Sequence, residues 1–224
     1  MSQSIADPAI PSVSSSEEPL DAVALSALIA SRLCHDLINP VGAIGSGLEV
    51  MSDDDMDDAM KDAAIDLIKN GGGKSVALLK FARLAYGAAG GRGAEIPMEE
   101  AEIILNELFE WSKADLNWSV PPGAALKEKV KAVLILAQFA GDCVPRGGVV
   151  SVREEESGYA VEAEGKRALL NEDLPAALAG VTTEMKAKFA PAYVVGLLAR
   201  EAGGTATVER VTEEKVRFFV GFSR

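Results

Sequence analysis

Residues 31–42, S-R-L-C-H-D-L-I-N-P-V-G, form the centre of a long helical pattern near the start of the chain. Apolar residues recur through and beyond this stretch at spacings of three and four, which is typical of one face of an α-helix. These residues are Leu33, Leu37, Val41, Ile44, Leu48 and Met51. The pattern predicts a long first helix from about Pro19 to Glu49.

His35, the only histidine in the chain, lies in this predicted helix. Because each residue turns an α-helix by about 100°, His35 lies about 200° from Leu33 and Leu37. We therefore predict that its imidazole points away from the apolar face and toward solvent. An exposed histidine in the middle of a helix is usually inert, so its neighbours decide whether it forms a site.

The neighbours of His35 give it a chemical setting. Asp36 can accept the proton of one ring nitrogen and leave the other nitrogen as a nucleophile. Pro40 lacks the N–H that would bond to the Asp36 carbonyl, so the helical turn is open beside the histidine. Small residues on the same side of the helix allow another protein to approach closely. These are Ser31, Gly42 and Ser46.

A second helix is predicted from about Asp55 to Tyr86, after an acidic turn. The aspartates within residues 53–58 suit a helix N-terminus, where negative charge is favourable, and we prefer capping to a metal site. The stretch N-G-G-G-K-S, residues 70–75, suggests a phosphate-binding loop. However, Ile68 stands where that loop needs its first glycine, and no strand precedes it. We interpret these glycines as a kink or as a place of close helix packing.

A hairpin of two long helices would leave a wide apolar stripe uncovered. Two such hairpins that pair about a two-fold axis form a four-helix bundle and cover that stripe. We therefore predict a homodimer through residues 20–86.

The composition limits the classes of partner and the location of the chain. The chain has 22 Lys and Arg against 34 Asp and Glu, for a formal net charge of −12. Because phosphate backbones and anionic lipids require a basic patch, we expect no nucleic-acid and no membrane partner. The chain has neither a signal-peptide pattern nor a run of about 18 apolar residues, which predicts a cytoplasmic protein. Cys34 and Cys143 indicate neither a disulfide framework nor a metal cluster.

The residue composition and the predicted elements divide the chain into three parts. Residues 1–19, rich in Ser, Pro and Glu, are predicted to be a disordered tail. A helical domain at 20–90 is followed by a glycine-rich connector at 87–93 and a second domain at 94–224. In the second domain we predict helices at 98–111, 126–139, 173–179 and 184–202, a strand at 115–120, and hairpins at 148–164 and 205–222.

The fold class predicted from these elements is α+β. A two-helix hairpin that forms a dimeric four-helix bundle precedes a mostly antiparallel sheet with helices on one side.

Residues 35–41, H-D-L-I-N-P-V, resemble the phosphoacceptor box of histidine kinases. In that box a histidine is followed by an acid, Leu, a variable residue, Asn or Thr, Pro and a hydrophobic residue. The resemblance implies that His35 is the phosphorylated residue and that Asp36 is its acid/base neighbour. It also implies a role for Asn39, which in related phosphatases can position water.

The second domain resembles the ATP-binding domain of histidine kinases, with residues 190–211 in place of its last helix and terminal hairpin. The nucleotide-binding residues of that domain do not match. Leu134–Ala140 replaces the helix whose asparagines chelate magnesium, and Glu156–Tyr159 replaces the Asp-x-Gly-x-Gly motif that holds adenine. The mobile lid is replaced by T-T-E-M-K-A-K-F-A-P, residues 182–191.

A kinase-like hairpin joined to a degenerate histidine-kinase ATPase-like α/β sandwich resembles the dimeric histidine phosphotransferases of the ChpT type. The resemblance implies a phosphotransferase of a bacterial phosphorelay with no autokinase activity. The receiver domain of a hybrid histidine kinase would phosphorylate His35, and response regulators would take the phosphoryl group. It implies no ATP binding and no cofactor of its own, with Mg²⁺ supplied by the partner receiver domain.

Candidate receiver-docking residues share the side of the first helix that carries His35. They are Leu28, Ser31, Arg32, Gly42 and Ser46. Two alternative functions remain open at this point. If the chain is not a phosphotransferase, it is either an active but divergent histidine kinase or a non-catalytic receiver-binding pseudokinase. Phosphatase activity toward receivers is a variation that Asp36 and Asn39 would permit.

Overall fold

The computed structural model describes residues 20–87, 93–180 and 185–223. The predicted tail at 1–19 lies outside the described residues, as does most of the predicted connector, residues 88–92. The same holds for residues 181–184, which include the first three residues of the segment predicted to replace the kinase lid.

Two long antiparallel helices begin the described chain, α1 at Ala22–Met51 and α2 at Asp58–Tyr86. An aspartate caps the start of each helix. The Asp21 carboxylate accepts the N–H groups of two residues in the first turn of α1, and Asp57 accepts the N–H of Met60 in α2. These side chains satisfy backbone donors that have no partner within the helix, which explains why the helices begin there.

Glycines bring α2 close to its neighbours. A Cβ atom at Gly71 would lie 2.5 Å from the carbonyl oxygen of Pro40 in α1, and one at Gly73 would lie 2.5 Å from the ring of Trp111. α2 is continuous through residues 70–75. The glycines therefore serve close packing, as one of our two interpretations predicted, and they do not break the helix.

The remaining described residues form short helices and strands. In chain order these are β1 Glu95–Pro97, α3 Met98–Phe109, β2 Ala114–Ser119, β3 Ala124–Leu126, α4 Lys127–Cys143, β4 Gly148–Glu155, β5 Gly158–Glu164, α5 Leu174–Ala179, a 3₁₀ turn at Ala187–Phe189, α6 Ala190–Glu201, β6 Ala206–Arg210 and β7 Lys215–Gly221. All the helices and both hairpins predicted from the sequence are present, with shifted ends.

The main sheet has five strands in the order β2-β4-β5-β7-β6. β2 runs parallel to β4, and the other three pairings are antiparallel. This arrangement confirms the predicted α+β class and the mostly antiparallel sheet. β1 and β3 form a separate antiparallel pair that the sequence did not predict. Three residues per strand are too few to show an alternating pattern.

The core of the second domain lies between the sheet and the helices on one of its faces. α4 is central to this core, and four consecutive residues in its middle, 134–137, have no exposed surface. The valines and phenylalanine that face α4 from the sheet are equally buried, among them Val150, Val161 and Phe218. A run with no polar face is what a helix needs when it is covered on all sides.

α1 contacts α2 through only part of its predicted apolar face. Pro40 and Gly47 are the buried residues of α1, and they face α2, as does Ile44 of the apolar face. Val41 and Leu48, predicted on the apolar face, are 51% and 53% exposed in the single chain, and Ile38 is 66% exposed. The apolar surface of α1 is therefore wider than one helix can cover.

By length and composition, α1 also qualifies as a candidate membrane span among the described residues. Polar residues interrupt its apolar surface in mid-helix, however, and one side of it packs against α2. Such apolarity is equally expected of a helix that contacts other helices, so the composition of α1 is weak evidence for a membrane span.

Candidate functional site

His35 lies at the edge of a cleft between the helical pair and the second domain. The cleft has a volume of about 400 Å³ and is lined by α1, α2 and the C-terminal ends of α3 and α4. The side chain of His35 is 80% exposed, as helix geometry predicted. The imidazole is therefore accessible to a second protein, while its surroundings belong to a formed cleft.

Asp36 faces the imidazole of His35. The distance from His35 Nδ1 to Asp36 Oδ1 is 3.4 Å, and only 18% of the Asp36 side chain is exposed. A carboxylate at this position favours the tautomer with the proton on Nδ1. Nε2 has no hydrogen-bond partner among the described residues, so none of their groups occupies its lone pair.

Arg32 lies one turn before Asp36 and holds its carboxylate. The Arg32 Nε donates to Asp36 Oδ2 at 2.7 Å, while Nη2 reaches Asp142 Oδ2 of α4 at 3.4 Å. Nη1 donates to the carbonyl oxygen of Lys188 at 3.4 Å. Burial tends to lower the pKa of Arg32, but the hydrogen bond to Asp36 and the charges of both carboxylates outweigh it and raise the pKa.

This geometry changes the role expected of Arg32. We predicted a docking side chain on the outer surface of α1, but only 16% of the side chain is exposed. Its guanidinium already contacts two carboxylates of the same chain. Docking through Arg32 stays a prediction, and it would require at least one of these contacts to open.

Asn39 and Pro40 complete the α1 side of the cleft. Asn39 is exposed and lines the cleft one turn after His35, so the structure brings together the three residues predicted to be catalytic. Pro40 is buried against Gly71. Because proline has no N–H, the Asp36 carbonyl lacks its usual helical donor beside the site.

The other predicted docking residues lie on the outer side of α1. Ser31, Gly42 and Ser46 are exposed, and Leu28 is half-buried. A Cβ atom at Gly42 would meet nothing within 4 Å, so this part of the helix is open to a partner. Receiver docking through these residues stays a prediction.

Three charged residues of the cleft, Lys74, Lys113 and Asp142, were not predicted from the sequence. Lys74 lines the cleft together with His35 and Asn39 and makes no ion pair with a described residue. It belongs to the N-G-G-G-K-S stretch, whose glycines were the available signal. Asp142 lies 110 positions after Arg32, and no local pattern links the two.

The middle of α4 offers no polar groups to the surface. Leu134, Ile135 and Leu136 have no exposed surface, so this part of α4 consists of core side chains. Within the described ranges, no group of three or more His, Cys, Asp or Glu residues is placed to hold a metal ion.

Comparisons with known proteins point to one family. Residues 98–214 match the model of the histidine phosphotransferase C-terminal domain. The chain is 33% identical over 203 residues to the protein phosphotransferase ChpT of Brucella abortus (strain 2308), covering 88% of this chain and 95% of that protein.

Solved structures show the same relationship. A bacterial phosphotransferase, 32% identical, superimposes with a TM-score of 0.79 and covers 89% of this chain and 97% of its own. The histidine kinase AdeS of Acinetobacter baumannii is 13% identical with a TM-score of 0.44, covering 85% of this chain and 98% of its own. The kinase similarity is too weak to inform the function.

Proposed function

This chain belongs to the histidine phosphotransferase family, and we propose that it carries a phosphoryl group between receiver domains on His35. The observation that supports this role best is the state of the imidazole. It is 80% exposed, its Nδ1 faces Asp36, and its Nε2 is unpartnered among the described residues.

The proposed reaction uses these two ring nitrogens in different ways. The Nε2 lone pair of His35 attacks the phosphorus of a receiver's aspartyl phosphate in line. The N–P bond forms as the P–O bond to the aspartate breaks, and the aspartate leaves as a carboxylate. The ring then carries positive charge and its proton on Nδ1, where Asp36 stabilises it. A second receiver's aspartate reverses the same steps and takes the phosphoryl group.

The receiver supplies the remaining chemistry in this proposal. Mg²⁺ held in the acidic pocket of the receiver would neutralise the transferring phosphoryl group, and this chain would then need no cofactor of its own. The contribution of this chain is to position the imidazole. The donor is the receiver domain of a hybrid histidine kinase, and the acceptors are response regulators that dock along the outer side of α1.

Lys74 fits a supporting role in the same reaction. It lines the same cleft as His35, as Lys113 does, whereas the third cation of the cleft, Arg32, is already paired with two carboxylates. In a chain of net charge −12, an unpaired lysine offers the phosphoryl group a favourable charge that Asp36 and Asp142 do not.

We also propose that the protein does not bind ATP. The fully buried apolar residues in the middle of α4, residues 134–137, support this, because they offer no ligand to a magnesium–nucleotide complex. The second domain instead braces α1 and α2, which it contacts through α3, α4, α6 and the 3₁₀ turn at Ala187–Phe189.

The active form is proposed to be a cytoplasmic homodimer that pairs through residues 20–86. The exposed large apolar residues of the two helices support it, because an exposed stripe of this size is costly in a monomer. They are Val23, Ile38, Val41, Leu48 and Met51 on α1 and Met60, Leu67, Val76 and Leu79 on α2. A four-helix bundle formed by two chains would cover most of them.

The test is to incubate the protein with a panel of phosphorylated receiver domains and follow the label. We expect at least one receiver to phosphorylate the wild-type protein and another to remove the label. His35→Gln abolishes labelling, whereas Glu49→Ala, an exposed change on the same helix, does not. Labelling of His35 by ATP and Mg²⁺ alone would instead establish a divergent kinase. If no receiver labelled the wild-type protein and His35→Gln left relay output unchanged, a receiver-binding pseudokinase would remain.

A further inference from the structure

We infer that Asp142 of the second domain is a positioning residue for the histidine site. Through Arg32 it fixes the orientation of the Asp36 carboxylate beside His35. This inference rests on the proposed function, because it assigns the second domain a part in the phosphotransfer reaction on His35.

The Arg32 guanidinium is held by contacts from three directions. Its guanidinium is a planar fork with donors at fixed angles. One donor reaches Asp36 on its own helix, one reaches Asp142 on α4, and one reaches the Lys188 carbonyl in the 3₁₀ turn. The two contacts from the second domain fix the plane of the guanidinium, which the contact to Asp36 within α1 alone would not fix.

Arg32 in turn orients the Asp36 carboxylate. Oδ2 accepts the hydrogen bond from Arg32 Nε at 2.7 Å, which leaves Oδ1 facing His35 Nδ1 at 3.4 Å. A carboxylate without the Arg32 contact would rotate and share both oxygens with solvent. The Arg32 contact therefore keeps an acceptor oxygen of Asp36 in place at Nδ1, which favours the Nδ1–H tautomer.

The residues that link Asp142 to His35 differ in how much of each side chain is exposed to solvent. Arg32 and Asp36 are 16% and 18% exposed, whereas His35 is 80% exposed. A docking receiver thus meets the imidazole directly, while Arg32 and Asp36, which orient it, are largely shielded from solvent. Asp142 is 58% exposed and lies where α4 meets the cleft, so replacing it does not open the core.

Replacing Asp142 is expected to change the orientation of Arg32 and Asp36 beside His35, and not the stability of the fold. Asp142→Asn keeps the size of the side chain and removes the charge that holds Arg32. Arg32→Lys keeps the positive charge but loses the fork and serves as a second variant. Asp115→Asn, at an exposed position of β2 in the same domain, is the matched control.

The experiment uses the full-length protein and two readouts. Because His35 is the only histidine, ¹⁵N NMR of the imidazole reports its tautomer directly. We expect a strong preference for the Nδ1–H form in the wild type and in Asp115→Asn. That preference is expected to fall at least twofold, relative to the Nε2–H form, in Asp142→Asn and Arg32→Lys. The rate of His35 phosphorylation by an active receiver should fall by about tenfold. This is the lower end of the range of losses in activity that follow removal of a partner that orients a functional histidine.

The outcomes separate this inference from the proposed function. If His35→Gln transfers phosphate as the wild type does, the proposed function fails. If the wild type transfers but Asp142→Asn changes neither the tautomer nor the rate, only the positioning role fails. If Asp142→Asn weakens receiver binding and leaves the tautomer unchanged, Asp142 is a docking contact, which also overturns the positioning role.

Discussion

Gly71 of α2 lies so close to Pro40 of α1 that a Cβ atom there would be 2.5 Å from the Pro40 carbonyl oxygen. This contact is made by backbone, which cannot swing aside as a flexible side chain can. The residue that opens the helical turn beside Asp36 is therefore also held in place by a neighbouring helix.

Gly71→Ala is expected to push α1 away from α2 and lower the free energy of unfolding by about 1–3 kcal/mol. It should also slow His35 phosphorylation, because the displaced helix carries the site. Gly72→Ala is the control, since a Cβ atom at Gly72 meets nothing within 4 Å. In the interior of a helix, that change should stabilise the protein by up to about 1 kcal/mol. Chemical denaturation measures both, and equal effects of the two substitutions would contradict the close-packing account.

Leu48→Glu is expected to dissociate the proposed dimer. Leu48 is 53% exposed in the single chain, and a charge at this position would be buried between two copies without a partner. Sedimentation equilibrium should give twice the chain mass of 23.4 kDa for the wild type and a single chain mass for the variant. Val211→Glu, at a similarly exposed valine after β6, should remain dimeric. A wild-type protein that sediments as a monomer at micromolar concentration would disprove the dimer.

Lys74→Ala is expected to slow phosphorylation of His35 without changing stability. Loss of one unpaired charge near the phosphoryl group in an open cleft costs about 1 kcal/mol, which is roughly fivefold in rate. Lys74→Arg should restore most of the rate. Lys69→Ala removes an exposed lysine of the same helix that does not line the cleft, so it should leave the rate unchanged. If Lys69→Ala and Lys74→Ala slow the reaction equally, the effect is one of net charge and not of position.

Local patterns predicted the parts of the site that depend on one helix. The rotation of 100° per residue placed His35 outside the apolar face, and the structure agrees. The same periodicity placed Val41 and Leu48 on the apolar face, and in the single chain they are exposed. Periodicity reports the width of an apolar face, but it does not report which neighbour covers each part of that face.

The contacts that hold the site together could not be predicted in this way. Arg32 and Asp142 are 110 positions apart, and they meet only because α4 packs beside α1 in the folded chain. The same applies to Lys74, which enters the cleft because Gly71 and Gly73 allow close approach to Pro40 and Trp111. Tertiary packing decides such pairs, and no spacing in the sequence encodes them.

Glu162→Gln is expected to destabilise the second domain in a pH-dependent way. On the outer face of the sheet, Glu162 accepts hydrogen bonds from Arg153 at 2.7 Å and pairs with Lys215 at 3.0 Å. The hydrogen bond from Arg153 and the pairing with Lys215 outweigh the opposing effect of burial and lower the pKa of Glu162 to about 2. The ionised carboxylate therefore favours the folded state.

The direction of the pH effect follows from this lowered pKa. In the unfolded chain the carboxyl group has its ordinary pKa of 4.5, so its stabilising effect is fully present above that pH. The effect is lost as the pH falls from 4.5 toward 2, where the folded protein also binds the proton. The difference in Tm between the wild type and Glu162→Gln should be largest above pH 5 and should nearly vanish near pH 2. Glu164→Gln, at a 62% exposed position of the same strand, should show a much smaller difference at every pH. A Tm difference for Glu162→Gln that stayed constant from pH 7 to pH 2 would mean that shape, not charge, makes Glu162 important.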